Sequence, residues 1–482
     1  MSDVIDKAIE PQPEPKPKRK RRRRIKPPEF RTPEGNVAAK FTKAVTTTIR
    51  ARDAEKLRLL SAGLHESDLG DLIETLPPDV RPGLVELLGE DFDFTALTEV
   101  EGTVRAEILH ALPPATVADG VRVLESDDAV KILEDLPKEE QDEILKALPV
   151  TERVALKRSL HYPEDSAGRL MQMEFVAVGP DWDVGRTIDH LRENRDLPDD
   201  FYEIYVADPD QHFVGAVPLD KLLRTQRPVP VSDIMASDRE VVRATDNQED
   251  AARMFERYNL VSAPVLDEAG RLVGVLTVDD MVDVIEKKAG EDIKALGGVN
   301  PEEQLSDPFW RVTRGRFNWL LVNLATAFLA SSVLGLFEGQ LQKMVALAVL
   351  APIVASQGGN ATTQTMTVVV RALATRELGP ANAARVIARE LLAGFVNGLA
   401  FAVITGVAAV AWFKTPGLGF VIGLAMICNL IAAALGGVLI PLVLYRLRFD
   451  PAIASGALIT TVTDVTGFFS FLAIATLWFG LA

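Results

Sequence analysis

The sequence is short of the side chains on which disulfide scaffolds and transition-metal sites depend. Its 482 residues include one cysteine, Cys428, and five histidines. One cysteine cannot form an intrachain disulfide, and it offers no Cys-x-x-Cys pair for a thiolate metal site. Because Cys428 lies in an apolar segment, we interpret it as a small core residue and not as a reactive thiol. A secreted disulfide scaffold is therefore excluded.

Charged side chains are scarce in the last third of the chain. Residues 317–482 contain 8 basic and 5 acidic side chains, whereas residues 1–316 contain 44 basic and 63 acidic ones. The formal net charge of −16 and the mean hydropathy of +0.12 therefore describe neither part. We predict a charged soluble region followed by a membrane domain, which excludes a simple soluble enzyme and a disordered protein.

The N-terminal segment is basic, unlike the rest of the soluble region. The first 31 residues carry 11 basic and 5 acidic side chains, concentrated at Lys16–Lys26 and flanked by prolines. Proline and like-charge repulsion both oppose compact structure, so we predict a disordered basic arm over residues 1–36. No apolar run follows it, so we do not expect a signal peptide. Anionic lipid, at about 1 kcal/mol per basic side chain near the surface, is a better partner for it than a specific nucleic acid.

Residues 37–162 have the pattern of short helices separated by leucine–proline pairs. These pairs are Leu76-Pro77, Leu112-Pro113, Leu136-Pro137 and Leu148-Pro149. Proline stops the preceding helix and is tolerated in the first turn of the next one. Without the basic head, residues 32–316 carry a net charge of −25. We therefore predict an acidic, all-α superhelical domain.

Residues 163–288 contain two similar halves with a repeat of about 60 residues. Each half runs strand, helix, strand, turn, strand, helix, with acidic turn residues before its last strand. This α/β tandem resembles a pair of cystathionine-β-synthase (CBS) domains. The resemblance implies a regulatory module that often binds adenine nucleotides such as ATP, here at Thr277 and Asp280. A dimerisation scaffold without a ligand is an equally open alternative.

An acidic helix ends the second half. Asp279, Asp283 and Glu286 are spaced i, i+4 and i+7, so they share one helical face. Like charges at this spacing oppose helix formation. Either a divalent cation bridges this face to another acidic surface, or nearby lysines relieve the repulsion locally, namely Lys287, Lys288 and Lys294. We predict that an acidic connecting helix over residues 289–316 then leads to the membrane domain.

Five apolar stretches fill the predicted all-α membrane domain of residues 317–482. They are about 317–337, 344–370, 391–413, 419–445 and 453–480. Each is long enough to cross about 30 Å of hydrocarbon. Nine basic residues flank the spans on one side and two on the other. The positive-inside rule predicts a multi-pass protein of the inner cell membrane with a cytoplasmic N-terminus and an outer C-terminus.

Two polar features lie inside the predicted spans. Asp464 lies well inside the fifth span, where a carboxylate costs at least ~2.5 kcal/mol, and no basic residue lies at a similar depth. A cation or water is its natural partner. The second feature is Gln357–Gln364, which includes Asn360 and can hold a hydrated ion, with helix packing by small residues as the alternative. Hard oxygen ligands favour Mg²⁺, and one five-helix chain is small for a pore, so we expect a two-fold homodimer.

The order of these parts resembles the MgtE-type magnesium channel family over nearly the whole chain. The matching segments are Glu164–Met171, Ala351–Asn360, Arg371–Arg376 and Asp450–Gly467. The resemblance implies that Asp464 is the pore carboxylate and binds hydrated Mg²⁺ largely through water. Positions Gly456 and Thr460 would help to line that site. Relatives can have asparagine at position 456, so a side-chain contact to the ion's shell is lost here.

The resemblance also implies a gate. In the family, intracellular Mg²⁺ bridges the helical domain, the CBS pair and the connecting helix, and holds the pore shut. The matching sensing residues are Asp128, Glu249, Asp250, Asp280, Asp283, Glu291 and Asp292. Asn247 and Asn259 stand where acids can occur in relatives, so one or two sensing sites are expected to be weaker.

We therefore expect a Mg²⁺-selective channel that cytosolic Mg²⁺ closes. A secondary transporter coupled to Na⁺ or H⁺ would use Asp464 equally well. A nucleotide-sensing membrane receptor that moves no ion is an alternative of another class. An enzyme is not expected, because no nucleophile–base pair or catalytic metal cluster stands out.

Overall fold

The computed structural model describes residues 29–195, 197–198, 200–379 and 381–481, without the side chains of residues 453–457. Residues 1–28 of the predicted basic arm lie outside the described residues. Its last part is folded, since Arg31 forms a β-bridge with Val37 and its guanidinium contacts the carboxylates of Asp68 and Asp71. The predicted disorder therefore does not extend to residues 29–36.

The chain divides into two compact units. The first comprises the described residues up to Leu124 together with Asp135–Leu148. The second comprises Glu125–Glu134 and the chain from Pro149 onwards.

Nine α-helices occupy residues 39–159, which confirms the predicted helical domain. They are α1 (Ala39–Arg50), α2 (Ala54–Ser61), α3 (Glu66–Thr75), α4 (Arg81–Leu88), α5 (Gly102–Ala111), α6 (Pro114–Val121), α7 (Ser126–Glu134), α8 (Lys138–Ala147) and α9 (Val150–Ser159). Helices α7 and α9 belong to the second unit. The prolines act as predicted, because Pro113 and Pro149 directly precede α6 and α9 with φ of −60° and −51°. Their partners Leu112 and Leu148 are buried, so each pair also anchors a junction in the core.

Residues 167–296 contain two three-stranded sheets, which confirms the tandem CBS fold. The elements are α10 (Ala167–Leu170), β1 (Ala177–Val178), α11 (Val184–Glu193), β2 (Glu203–Ala207), β3 (Phe213–Pro218), α12 (Leu219–Arg224), α13 (Val231–Ile234), β4 (Val242–Arg243), α14 (Gln248–Tyr258), β5 (Ser262–Leu266), β6 (Leu272–Thr277) and α15 (Val278–Leu296). In each sheet the first two strands are parallel and the last two antiparallel. The two halves correspond in register, since Glu203 pairs with Pro218 and Ser262 with Thr277.

Helix α15 passes through the boundary predicted at residue 289. It runs unbroken to Leu296, and residues 297–308 form no α-helix. Gly290 lies inside α15 without ending it, whereas Gly297 and Gly298 follow its last residue, and Gly298 adopts a φ of 71°, which favours glycine. The separate connecting helix predicted over residues 289–316 is therefore absent: this fully described stretch consists of the end of α15, an irregular segment and, from Phe309, the start of the next helix.

Among the described residues, five helices are long and apolar enough to cross a membrane, as predicted. They are α16 (Phe309–Leu336), α18 (Val345–Ala374), α19 (Ala383–Phe413), α20 (Pro416–Arg446) and α21 (Pro451–Phe479), with the short α17 (Glu338–Lys343) between the first two. Helices α18, α20 and α21 share a core that includes Val354, Met426 and Phe471. Cys428 is exposed, contrary to our interpretation, because it shares a face of α20 with the exposed Phe420 and Leu424.

Candidate functional site

Asp464 lies at the middle of α21 and is half-buried. Thr460 lies about one helical turn before it and is exposed. Gly456 falls within the stretch whose side chains lie outside the described residues. Among the described residues no charged side chain is paired with Asp464. The carboxylate is thus left to water or to a mobile cation.

A polar stripe runs along one exposed face of α18. It consists of Ser356, Asn360, Thr363, Gln364 and Thr367, which recur every three or four residues. The opposite face is apolar or tightly packed and buried. Exposed amides and hydroxyls are costly against lipid, so such a face suits a water-filled pathway or another protein surface. The predicted Asn360 therefore belongs to a larger polar surface.

The C-terminal end of α15 packs against the two helices that carry these residues. Ala295 is buried together with Met366 and Val370 of α18 and with Ala452 and Ile459 of α21. Ile459 directly precedes Thr460 in the chain. A displacement of α15 would therefore act on both helices at once.

Two acidic clusters lie along α15. The first, which we name the α7–α15 cluster, consists of Glu125, Asp127 and Asp128 at the start of α7 and of Asp279 and Asp280 at the start of α15. It brings together Asp128 and Asp280, two of the predicted sensing residues. It also contains Asp127, whose Oδ1 atom is buried without a hydrogen-bond partner among the described residues.

The pKa values of three carboxyl groups in the α7–α15 cluster are raised. Burial, the largest cause, raises the pKa of Asp280 to about 7; neighbouring carboxylates act with it and the hydroxyl of Thr277 against it. Burial also raises the pKa of Glu125 to about 7 and that of Asp127 well above its usual value. Burial and neighbouring carboxylates together oppose ionisation in this cluster, and a bound divalent cation would reverse that preference.

Lys288 is the centre of the second group, which we name the Lys288 cluster. Its Nζ atom lies 3.2 Å from Oε1 of Glu249, 3.7 Å from Oε2 of Glu291 and 3.8 Å from Oδ1 of Asp292. Burial lowers the pKa of Lys288, but the carboxylates, Glu249 foremost, outweigh it and raise the pKa overall. Three predicted sensing residues thus meet at one lysine. Its positive charge relieves the repulsion between their carboxylates, which is one of the two alternatives that the sequence left open.

A cavity of about 710 Å³ borders the Lys288 cluster. Seven acidic residues line it: Asp165, Glu249, Glu286, Glu291, Asp292, Glu302 and Asp450. The lysines on its wall are Lys287, Lys288 and Lys294. Asp450 accepts a hydrogen bond of 2.8 Å from the backbone N–H of Ala452 and so begins α21. The cavity is therefore acidic overall, and one of its walls is the start of the helix that carries Asp464.

Two predicted sensing residues stand apart from these clusters. Asp250 is paired through its Oδ1 atom with both Arg253 and Arg376, and the arginines lower its pKa. Asp283 is largely exposed, and its Oδ2 atom lies 3.4 Å from Nζ of Lys131.

The predicted nucleotide-binding pair, Thr277 and Asp280, is in direct contact. The hydroxyl of Thr277 donates a hydrogen bond of 2.8 Å to Oδ2 of Asp280. Thr277 also lines a cavity of about 20 Å³, which is the size for one water molecule and not for a nucleotide. Asp280 itself belongs to the α7–α15 cluster. Nucleotide binding at Thr277 and Asp280 therefore stays a prediction.

Comparison with known proteins decides the family. A model described as MgtE, divalent cation transporter, matches residues 351–474; the MgtE intracellular N domain matches 64–165 and the CBS domain 231–287. The magnesium transporter MgtE of Thermus thermophilus is 32% identical over 443 residues, which are 91% of this chain and 98% of that protein. The chain belongs to the MgtE family of magnesium transporters. The resemblance inferred from the motifs is thereby confirmed.

Further MgtE proteins resemble the chain over shorter stretches. The magnesium transporter MgtE of Enterococcus faecalis is 34% identical over 323 residues, which are 67% of this chain and 71% of that protein. A crystal structure of the cytosolic domain of the Mg²⁺ channel MgtE in complex with ATP is 30% identical. The matched region is 50% of this chain and 99% of the cytosolic-domain chain, and the TM-score is 0.47.

The MgtE-family models cover the parts of the chain in which the site lies. The transporter model spans the polar stripe and Asp464, and the N-domain model spans Asp127 and Asp128. From the sequence, Lys288 is expected only to relieve repulsion along α15, and Asp127 is not predicted as a site residue. The signals that could have found them are the place of Asp127 beside Asp128 in the first turn of α7, and the i+3 and i+4 spacing of Lys288 to Glu291 and Asp292.

Proposed function

We propose that this MgtE-family protein is a Mg²⁺-selective channel for magnesium uptake, closed by cytosolic Mg²⁺ that binds between its acidic soluble elements. The polar stripe of α18 carries the proposal. Five exposed polar side chains follow one face of a helix long enough to span a membrane. Lipid does not solvate such a face, whereas a hydrated ion pathway does.

The pathway requires a second copy of the chain. In one chain the polar stripe is exposed, and α21 adds Thr460 and the half-buried Asp464 nearby in the same bundle. A two-fold homodimer would cover these faces and enclose a central pathway. The basic residues between α18 and α19 and after α20 favour an N-terminus in the cytoplasm and a C-terminus outside.

Hydrated Mg²⁺ suits this set of side chains. Mg²⁺ loses its water reluctantly, so it is held through its waters by a few carboxylate, amide and carbonyl oxygens. One Asp464 from each copy supplies charge, and Asn360 supplies an amide. No thiolate or histidine is needed, so a hard cation is preferred over a transition metal.

The two acidic clusters form the proposed sensor. When Mg²⁺ is abundant, it binds where carboxylates converge and favours the compact arrangement of α7, α14 and α15. When Mg²⁺ is scarce, the carboxylates repel one another and α15 is released. Because α15 packs on Met366 of α18 and Ile459 of α21, its release loosens the pathway. The ion acts by its higher affinity for one arrangement, which is a shift of populations.

Uptake of Mg²⁺ into proteoliposomes tests the pathway. We compare the unaltered protein with Asp464→Ala and Asp464→Asn, and use Glu338→Gln, an acid at the end of a span, as the matched control. Both Asp464 variants should lose most of the flux, and the control should keep it. Equal flux in all four proteins would refute the role of Asp464.

The same vesicles separate the channel from its rivals. Flux that follows the membrane potential and ignores Na⁺ and H⁺ gradients supports a channel, and flux that requires either gradient supports a coupled carrier. Mg²⁺ on the soluble-domain side should reduce the flux. If that addition has no effect, the gate is disproved while the pathway stands. If no condition gives Mg²⁺ flux, the receptor without transport is favoured.

A further inference from the structure

Asn429 of α20 is fully buried at the junction of three membrane helices. Its Nδ2 atom donates a hydrogen bond of 2.7 Å to the backbone carbonyl of Val354 in α18. Its Oδ1 atom is buried and has no hydrogen-bond partner among the described residues. An unpaired acceptor in an apolar core is unfavourable, so a polar side chain here is not explained by packing alone.

Two glycines make room for this amide. A Cβ atom on Gly358 of α18 would lie 2.2 Å from Nδ2 of Asn429, and a Cβ atom on Gly467 of α21 would lie 2.9 Å from the same atom. Real Cβ atoms do not approach another atom so closely, and the Asn429 amide is held by its hydrogen bond. Helices α18, α20 and α21 therefore meet at this side chain with no spare space.

The junction lies beside both ion-facing features of the membrane domain. Gly467 follows Asp464 by three residues, which is less than one helical turn, and Gly358 precedes Asn360 by two. A shift of either helix at Asn429 therefore moves the Asp464 carboxylate relative to the polar stripe. Misplacement by about 1 Å is enough to change how a site binds its ion.

We infer that Asn429 is a positioning residue for the ion pathway, fixing α21 against α18 so that Asp464 stands at a set distance from the polar stripe. The inference rests on the proposed role of Asp464. It differs from simple helix packing in what it controls, because packing determines how much protein folds and positioning determines how folded protein binds its ion.

Mg²⁺ flux through reconstituted Asn429→Leu tests the inference. Leucine keeps the number and branching of the side-chain heavy atoms and removes both the hydrogen bond and the unpaired acceptor. Asn397→Leu, an exposed asparagine on α19, is the matched control. In the folded fraction of Asn429→Leu we expect the KM for Mg²⁺ to rise at least about fivefold and the preference for Mg²⁺ over Ca²⁺ to fall. An unchanged KM and preference, with only the maximum flux per protein lowered, would overturn the inference.

A second pair of variants tests the contact itself. Gly358→Ala should reduce flux strongly, because its methyl group collides with the amide. Adding Asn429→Ala should bring the flux and KM of the double variant to those of Asn429→Ala alone, a strongly non-additive result. Additive losses would show that the contact is absent from the working protein and would overturn the inference, including when Asn429→Leu does not fold.

Asp464→Asn, measured in the same experiment, distinguishes a failure of the proposed ion pathway from a failure of the positioning role of Asn429. If Asp464→Asn retains full flux, the proposed pathway fails whatever Asn429 does. If Asp464→Asn abolishes flux and Asn429→Leu leaves both KM and ion preference unchanged, the positioning role fails alone.

Discussion

The ammonium of Lys288 on α15 lies 3.2 Å from the carboxylate of Glu249 on α14. It also approaches Glu291 and Asp292, so a cation that belongs to the chain stands in the middle of a proposed Mg²⁺ site. A tethered cation and a free one compete for the same carboxylates. The Mg²⁺ threshold of this site therefore depends on how firmly Lys288 is held.

Replacing Lys288 by methionine should strengthen Mg²⁺ binding at the Lys288 cluster. Methionine has a similar length and no charge, so the carboxylates lose their resident cation. We expect the half-saturating Mg²⁺ concentration for protection of α15 from hydrogen exchange to fall about tenfold, which corresponds to about 1.4 kcal/mol. Without Mg²⁺ the variant should be less protected than the unaltered protein.

Lys287→Met is the control for that experiment, because this neighbouring lysine makes no ion pair among the described residues. It should leave the half-saturating concentration near its original value. A Lys288→Met protein that needs more Mg²⁺, or the same amount, would contradict competition between the two cations.

Mg²⁺ binding should release protons near neutral pH. The pKa of Asp280 is raised to about 7 from 3.8, so the group is partly protonated at pH 7, and Mg²⁺ binds the carboxylate form. Apparent affinity should therefore rise from pH 6 to pH 8. Calorimetry at pH 7 in buffers of different ionisation enthalpy measures the release, which Asp280→Asn should diminish. Buffer-independent heats would show that no proton leaves.

The raised pKa of Asp280 also predicts how the stability of the fold changes with pH when Mg²⁺ is absent. A carboxyl group with a raised pKa favours folding in its protonated form. Its stabilising contribution is complete below about pH 4, and it is lost as the pH rises through about 7. With EDTA present, hydrogen exchange of the first turns of α7 and α15 should accelerate from pH 6 to pH 8, after correction for intrinsic exchange. Excess Mg²⁺ should remove that acceleration.

The pair between Asp250 and Arg376 should contribute little to gating. Both side chains are half or more exposed, with 50% and 62% of their surfaces accessible, so water screens the pair. In a double-mutant cycle with Asp250→Asn and Arg376→Gln, we expect a coupling of at most about 1 kcal/mol, measured from the Mg²⁺ concentration that half-closes the channel. Raising the NaCl concentration to about 1 M should abolish it. A coupling several times larger would indicate that Asp250 has a direct role in the sensor.

Gly120→Ala should destabilise the helical domain. A Cβ atom there would lie 2.3 Å from the ring of Phe94, and a buried ring cannot retreat far. Overpacking of this kind costs about 1–3 kcal/mol. Hydrogen exchange of α6 should accelerate accordingly, whereas Gly315→Ala, which meets no atom within 4 Å in α16, should be neutral or stabilising. Equal exchange in both variants would contradict the close contact.

Much of the fold could be predicted because its signals are local. Leucine–proline pairs mark helix junctions, acidic turns before Phe213 and Leu272 mark hairpins, and long apolar runs mark spans. The boundary predicted at residue 289 failed because a single glycine, Gly290, weakens a helix without ending it, and α15 continues to Leu296. Helix bounds of this kind depend on stop signals, and composition alone does not supply them.

The candidate site was harder to predict because its contacts join distant parts of the chain. Nothing near Asp128 in the sequence indicates that it meets Asp280, and the orphaned oxygen of Asp127 is visible only in three dimensions. The close approach of the Asn429 amide to glycines on two other helices is likewise not visible in the sequence. Residue type predicted which side chains could bind a cation, and tertiary packing decided which of them converge.

The unbroken course of α15 has a consequence for the shape of the ion response. One helix of 19 residues, about 28 Å long, has the α7–α15 cluster at its start and the Lys288 cluster along its second half. A continuous helix moves largely as one body, so it cannot be held at one cluster and displaced at the other without strain. An ion bound at either cluster therefore raises the affinity of the other cluster for Mg²⁺. The transition between open and shut should therefore be steeper in Mg²⁺ concentration than one independent site allows, with a Hill coefficient above one.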